Sequence, residues 1–267
     1  MAEKNKIFEQ LRIVGIGSGN VGTHLYRALA IAGLDIVQIY SRNIDSANRV
    51  ADLCGASGVA HISEIIPDAD IYLIAIVDDA VGEFASELVS HISDKSLIAH
   101  TTGSIAMDTL AVANNPIGVF YPLQTFDKDR HMDLYATPFL LESSHAKSMT
   151  ILTYLASRLT SSIHQIDSQQ RRHIHLAAVS SCNFVNHLLT TAYDYLSKEG
   201  IDPHLLDPLI QETINKFTAK YPTDTQTGPA KRGDKGTIEK HKILLQNHPE
   251  MKHLYSIITQ QIVSKYQ

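Results

Sequence analysis

The run Leu11-Arg-Ile-Val-Gly-Ile-Gly-Ser-Gly-Asn-Val-Gly-Thr-His-Leu25 constrains this chain more than any other stretch. A short apolar, β-branched segment leads into glycines and then into helical spacing, with Leu25, Ala28 and Leu29 on one side, so it reads as strand, tight turn and helix. Gly17, Gly19 and Gly22 stand at G-x-G-x-x-G spacing. The first allows a sharp turn off the strand, the second lets backbone N–H groups approach a pyrophosphate, and the third lets helix and strand pack closely. A helix N-terminus favours an anion through its unpaired donors and its dipole. The expectation is a dinucleotide site with Gly17, Ser18, Gly19, Asn20, Val21 and Gly22 around the pyrophosphate; a ligand-free turn is the plain alternative.

Beyond the first helix the same alternation recurs along the chain. Leu34 to Tyr40 completes a strand-helix-strand unit. Asp45–Leu53 reads as a helix stopped by Gly55, and Asp70 to Val77 is almost continuously apolar, as in a parallel strand buried on both faces. Ser96–Thr101, Pro116–Tyr121, Pro138–Leu141 and Ser162–Ile166 read as later strands. Helical spacing falls over Phe84–His91, Ile105–Ala113 and His145–Leu159 between them. Such alternation predicts an α/β fold, a doubly wound Rossmann-type sheet, over residues 1–166. From Ser168 to Lys198 one uninterrupted helical pattern begins a second, all-helical domain over 167–267. Asp202 and Pro203 open its next helix, and Tyr221–Gly236 reads as a loop before two closing helices.

With 267 residues the chain is long enough for two domains, and a formal net charge of −5 argues against a nucleic-acid partner. Two cysteines, Cys54 and Cys182, make neither a disulfide framework nor a metal cluster, and no ligand set has zinc spacing. No apolar run approaches the roughly 18 residues that span a bilayer, and Met1–Gln10 carries no secretory apolar region, so a cytoplasmic protein without a membrane partner is expected.

Candidate chemistry gathers at the carboxyl ends of the strands. NAD-binding units place an acid about 20 residues beyond the glycines to hold the ribose 2′-OH. Here the second strand ends in Tyr40-Ser-Arg-Asn43, and a hydroxyl beside a guanidinium binds a 2′-phosphate, which selects NADP; the alternative is a solvated Arg42 in a first helical turn. Val77-Asp78-Asp79 either borders the cofactor through Val77 and Asp78 or caps the next helix. In His100-Thr-Thr-Gly-Ser104, Thr102, Gly103 and Ser104 are candidates to hold a substrate carboxylate. His100 is either a proton donor or a hydrogen-bonded structural residue. Gln124, in the loop after Tyr121-Pro122, is a further substrate candidate. On the long helix, His175, Asn183 and Asn186 form a polar strip at 100° per residue, which faces a site, a partner helix or a subunit interface. The loop Thr227–Gly236 offers Arg232, with Asp234, to clamp an anion, and His241 a turn further on; a solvated basic loop is the alternative.

Gly17-Ser-Gly-Asn-Val-Gly22, Ser41-Arg42, Val77-Asp-Asp79 and His100-Thr-Thr-Gly-Ser104 together resemble the 6-phosphogluconate dehydrogenase-like superfamily, which includes pyrroline-5-carboxylate reductase and prephenate dehydrogenase. Tyr121-Pro-Leu-Gln-Thr-Phe126, His175 through Asn183, and Gly228-Pro-Ala-Lys-Arg-Gly-Asp234 narrow the resemblance to NADP oxidoreductases whose C-terminal domain is of unknown function. The resemblance implies hydride transfer to or from a C=O or C=N group of a small, carboxylate-bearing substrate, and a homodimer through the helical domain. Two departures stand out. Related hydroxyacid dehydrogenases carry a general-acid lysine on the long helix, and here no lysine lies between Ser168 and Tyr195. His175 and Asn183 are its nearest substitutes for proton delivery. Tyr121 also stands where those relatives carry a histidine before proline. An NADP-dependent oxidoreductase is the reading, with a nucleotide-binding sensor that has lost turnover as the alternative.

Overall fold

The computed structural model describes residues 11–127, 129–130, 132–219 and 225–267. The first strand, β1 (Arg12–Ile16), turns through the glycines into α1 (Asn20–Ile31) and returns as β2 (Asp35–Tyr40). Then come α2 (Ile44–Cys54), β3 (Ser57–Val59), β4 (Ile71–Ile74), α3 (Val81–Leu88), β5 (Leu97–His100), β6 (Ile117–Pro122), β7 (Phe139–Ser143), α4 (Ala146–Ser157) and β8 (Ile163–Gln165). The eight strands form one sheet in the order β3-β2-β1-β4-β5-β6-β7-β8. Among the described residues only β6 and β7 pair antiparallel.

The order reverses direction at β1, with β2 on one side and β4 on the other, both parallel to it. That is the switch point at which doubly wound sheets open a crevice beyond their carboxyl ends. Strands β4 and β5 are buried throughout, because helices cover both faces of a parallel sheet. Tyr26 fastens α1 beneath the crevice: its buried hydroxyl lies 2.9 Å from the carbonyls of both Ile16 and Leu73.

Two stretches differ from their sequence patterns. The helix expected over Ile105–Ala113 is only a 3₁₀ turn, Met107–Leu110. Its backbone is engaged elsewhere: Arg171 Nη2 donates to the Ile105 carbonyl at 2.6 Å, and Met107 N–H donates to Ser168 Oγ at 2.9 Å. The long helix is also not uniform. It runs as α5 (Ser168–Ala178), a π turn over Val179–Asn183, and α6 (Phe184–Lys198). A π turn closes i→i+5 bonds, so angles reckoned at 100° per residue do not carry from His175 across to Asn183 or Asn186.

The chain divides into two compact units, Met1–Val179 and Ser180–Gln267. α5 thus lies in the first unit, anchored at its start by Asp167, whose carboxylate accepts from Gln170 N–H at 2.8 Å. The second contains α6, a 3₁₀ turn capped by Asp202, α7 (Asp207–Ala219), the single helical turn Pro229–Arg232, α8 (Lys235–Leu244) and α9 (Pro249–Tyr266). The expected loop from Tyr221 lies partly outside the described residues. Among those residues no helix is long and apolar enough to cross a membrane.

Candidate active site

A cleft of about 600 Å³ opens at the switch point. Its floor is the glycine turn. Gly17 has φ +103°, and a Cβ there would meet the Ala75 carbonyl oxygen at 2.3 Å, so only glycine follows this path. At Gly22 a Cβ would come within 2.6 Å of the Gly17 carbonyl oxygen and 2.9 Å of the Tyr26 ring; this glycine closes the turn from beneath and does not line the cleft. At Gly19 a Cβ would meet nothing within 4 Å. The space beside it is therefore open to the cleft, and no side chain caps α1 there. A cradle of this kind, open at the second glycine and crowded at the first and third, fits a pyrophosphate.

Ser18, Asn20 and Val21 complete the floor. Ser18 Oγ donates to Ser41 Oγ at 2.9 Å, joining the glycine turn to the end of β2. Arg42 lines the same wall, and α2 is capped by Asn43, so Arg42 precedes that helix instead of lying in its first turn. The Asn20 amide leaves the turn and donates to the Phe126 carbonyl at 3.1 Å. Sequence reasoning missed an aromatic wall in which Tyr40 and Phe84 stack with ring centroids 5.1 Å apart. Burial raises the Tyr40 pKa and Glu87 adds to the effect, while the Arg42 charge opposes it.

Beyond β4 and β5 the cleft is bounded by Val77, Asp78, Thr101 and Thr102. Asp78 accepts a hydrogen bond from the Ser104 hydroxyl and so ties together the loops after β4 and β5. Thr102 Oγ1 accepts from Ile105 N–H at 3.4 Å. With only a 3₁₀ turn after Ser104, these residues have no helix N-terminus behind them; the Ser104 hydroxyl and the Thr102 N–H are already engaged, and what remains for an anion is the Thr102 hydroxyl proton and the N–H groups of Gly103 and Ser104.

His100 does not reach the cleft. It is fully buried, and its Nδ1 accepts from Thr102 N–H at 3.2 Å, which holds the loop in place. Nε2 finds no partner at hydrogen-bond geometry. Burial pushes the His100 pKa down to about 3, with the nearby Arg171 charge acting the same way and the Ala106 carbonyl opposing weakly. A histidine held neutral in this way is a positioning residue, which corrects its assignment as a proton donor. Gln124 also turns from the cleft: its Oε1 accepts from Thr125 N–H at 2.9 Å and its Nε2 lies 3.5 Å from Thr137 Oγ1.

His175 meets a residue that its own helix pattern did not reveal. Its Nδ1 lies 3.1 Å from the Tyr121 hydroxyl, and the rings meet edge to face at 73°. Both lie against the Gly103 backbone, where a Cβ would come within 2.5 Å of His175 Nδ1 and 2.8 Å of Tyr121 Cζ. Gly103 thus makes room for the pair next to Thr102. Beneath it the fully buried Arg171 is paired with Glu142, which also accepts from Ser168 Oγ at 2.7 Å. Burial raises the Tyr121 pKa, Arg171 counters it, and Asp78 adds to it.

Asn183 and Arg232 belong to the second unit, and both are exposed there. Asp234 is engaged in capping α8, accepting from the N–H and hydroxyl of Thr237 at 3.0 and 2.7 Å. His241 turns to Tyr255 on α9, 2.9 Å away, and not to the glycine-rich loop.

A crevice of this shape at the switch point of a doubly wound sheet defines a dinucleotide-binding protein. Residues 12–103 match the family described as NADP oxidoreductase, coenzyme F420-dependent, and residues 137–262 match the domain of unknown function DUF2520. A Bacteroides fragilis protein to which NADP oxidoreductase activity is ascribed is 37% identical, over 96% of this chain and 99% of its own, with a TM-score of 0.92. The chain belongs to this family of NADP oxidoreductases. The fold is shared with a reductive aminase of Aspergillus terreus solved with NADPH and ethyl levulinate, at 14% identity over 96% of this chain and 94% of the other, TM-score 0.70. It is shared too with an imine reductase of Myxococcus stipitatus solved with NADP+, at 13% identity over 96% and 95%, TM-score 0.64. No curated protein matches the chain.

Proposed function

We propose that this oxidoreductase reduces a C=O or C=N bond of a small molecule with NADPH. The carrying observation is the continuity of the cleft, from the cradle at Gly19 past Ser41 and Arg42 to Thr101 and Thr102, next in the chain to Gly103, against which the Tyr121–His175 pair packs. Backbone N–H groups of the turn beyond Gly17, whose own N–H donates to the Tyr40 carbonyl at 2.8 Å, hold the pyrophosphate. Ser41, oriented by Ser18, and Arg42 hold the 2′-phosphate with charge-assisted bonds, and Tyr40 with Phe84 offers a stacking face for the adenine. Bound NADPH supplies the hydride. The chain's own residues orient the acceptor and deliver a proton to its heteroatom from the side of His175. The Thr102–Ser104 loop, with hydroxyls and N–H groups at the cleft edge, takes the polar group of the substrate, for which a carboxylate is the favoured chemistry.

In the second unit Phe184, Leu209, Phe217 and Ile257 are all more than 40% exposed. Apolar side chains on several helices of one unit favour a partner surface, and a homodimer through that unit is the accompanying proposal, checked by light scattering of the purified chain. The cofactor assignment is tested by titrating NADPH and NADH into the protein and its Arg42→Ala variant. Losing one charge-assisted phosphate contact weakens NADPH by about 10-fold or more and leaves NADH nearly unchanged. Equal losses for both nucleotides refute the role of Arg42. The reaction is tested by following NADPH oxidation against small keto and imino acids.

A further inference from the structure

We propose that the Tyr121 hydroxyl is the acid that protonates the substrate heteroatom, and that His175 replaces the proton it gives up. The inference rests on the NADPH-dependent reduction proposed above and assigns its proton path.

The geometry leaves few other arrangements. The imidazole nitrogen that faces the Gly103 loop is Nδ1, and the Tyr121 hydroxyl already occupies it at 3.1 Å. A phenolic hydroxyl accepts one hydrogen bond and donates another. With Nδ1–H donating to it, the Tyr121 proton is free to point at a ligand beside Thr102. Gly103 fixes this placement, since any side chain there would displace both rings. Tyr121 is only 9% exposed, which keeps its proton from bulk solvent, whereas His175 is half-buried and its Nε2 has no partner among the described residues. The two residues thus divide the work: one faces the reacting group and the other faces water.

The charges around the hydroxyl come from separate elements. Arg171, one turn before His175 on α5, lies beneath the pair, Asp78 faces it from the loop after β4, and Glu142 of β7 is tied to Arg171. Arg171 is fully buried and its Nε is unpaired, so part of its charge is left to stabilise a phenolate during transfer. In the step itself, hydride adds to the carbonyl or imine carbon and the π-electron pair moves to oxygen or nitrogen. That atom takes the proton from Tyr121 Oη, the phenolate takes one from His175 Nδ1, and the imidazole recovers one from water at Nε2. Tyr121 ends protonated, hydroxide is left to the solvent, and His175 ends as its Nε2–H tautomer, which proton exchange with solvent returns to the Nδ1–H form before the next turnover.

The experiment compares the full-length protein with Tyr121→Phe, His175→Ala and the pair combined. Positioned acids contribute roughly 100- to 10,000-fold, so Tyr121→Phe is expected to lower kcat at least about 100-fold with NADPH affinity retained. His175→Ala is expected to lower kcat as well and to be partly rescued by added imidazole, which a merely structural histidine would not show. Without nucleotide, Tyr121→Phe should move the ¹⁵N resonance of His175 Nδ1. An unchanged kcat in Tyr121→Phe, or an unmoved resonance, overturns the proposal, as does failure of imidazole to rescue His175→Ala when the cavity binds it. A wild-type protein that binds NADPH yet reduces no keto or imino compound refutes the reductase reading itself, and the relay with it.

Discussion

The buried imidazole of His100 makes a direct prediction about stability and pH. It is fully enclosed, its Nδ1 accepts from Thr102 N–H, and Arg171 repels any added charge. Its pKa falls from the ordinary 6.5 to about 3 in the folded chain. Between those values the unfolded chain binds a proton that the folded chain refuses. Stability is therefore complete above about pH 6.5 and declines as the pH falls toward 3, at a limiting slope of about 1.4 kcal/mol per unit. At pH 5 the loss from this residue alone is ~2 kcal/mol. His100→Asn isolates it, since the Asn carbonyl replaces Nδ1 as acceptor for Thr102 N–H and does not titrate. Urea unfolding at pH 7.5 and pH 5 should show the wild type losing about 2 kcal/mol more than the variant over that interval. In the folded protein the His100 ring resonances should remain in the neutral form down to about pH 4. Parallel losses in the two proteins, or a His100 resonance that titrates near 6.5, would refute the reasoning.

Further predictions concern the cradle and the supports beneath it. Gly17→Ala forces an L residue to φ +103° against the Ala75 carbonyl and should destabilise the protein by roughly 1–3 kcal/mol while abolishing nucleotide binding, read by thermal unfolding with and without NADPH. Gly19→Ala meets nothing in the protein and should cost less than about 1 kcal/mol, yet weaken NADPH because its methyl enters the pyrophosphate space. Equal stability losses for the two variants would contradict the cradle geometry. Glu142→Ala strands the buried Arg171 guanidinium and should cost about 3–5 kcal/mol in urea unfolding. Burial lifts the Cys54 thiol to about 11, so alkylation at pH 8 should run about 100-fold slower there than at a free cysteine and become fast only on unfolding.

How far the sequence discloses the molecule depends on the range of the interactions. The glycine turn, β4, β5 and the Ser41-Arg42 end of β2 are written in contiguous residues whose geometry is local, and each is legible without the structure. The missing helix after Ser104 is not, because its amides are claimed by Arg171 and Ser168 from more than sixty positions away. Nor does any residue type announce the π turn at Val179–Asn183, which ends the polar strip reckoned from His175. The role of Asp234 as the cap of α8 is, by contrast, local: its partner Thr237 lies only three residues on.

The two departures from related enzymes acquire a common explanation only in three dimensions. The helix has no lysine between Ser168 and Tyr195 and offers His175 only as a nearest substitute, and the end of β6 carries Tyr121 where the resemblance leads one to expect a histidine before proline. Read one at a time, each removes an acid from the expected site, and together they point toward a protein that has kept its nucleotide pocket and lost turnover. The fold brings these residues, 54 positions apart, to 3.1 Å, against a glycine that leaves room for both rings. A lysine at His175 would set its ammonium beside the buried Arg171, where like charge and desolvation both disfavour it. The proposed hydroxyl-imidazole pair meets the same need, a mobile proton next to the Gly103 loop, without a lysine ammonium. In the proposed relay the tyrosine gives the proton and the histidine only returns one, so Tyr121→Phe should cost more in kcat than His175→Ala.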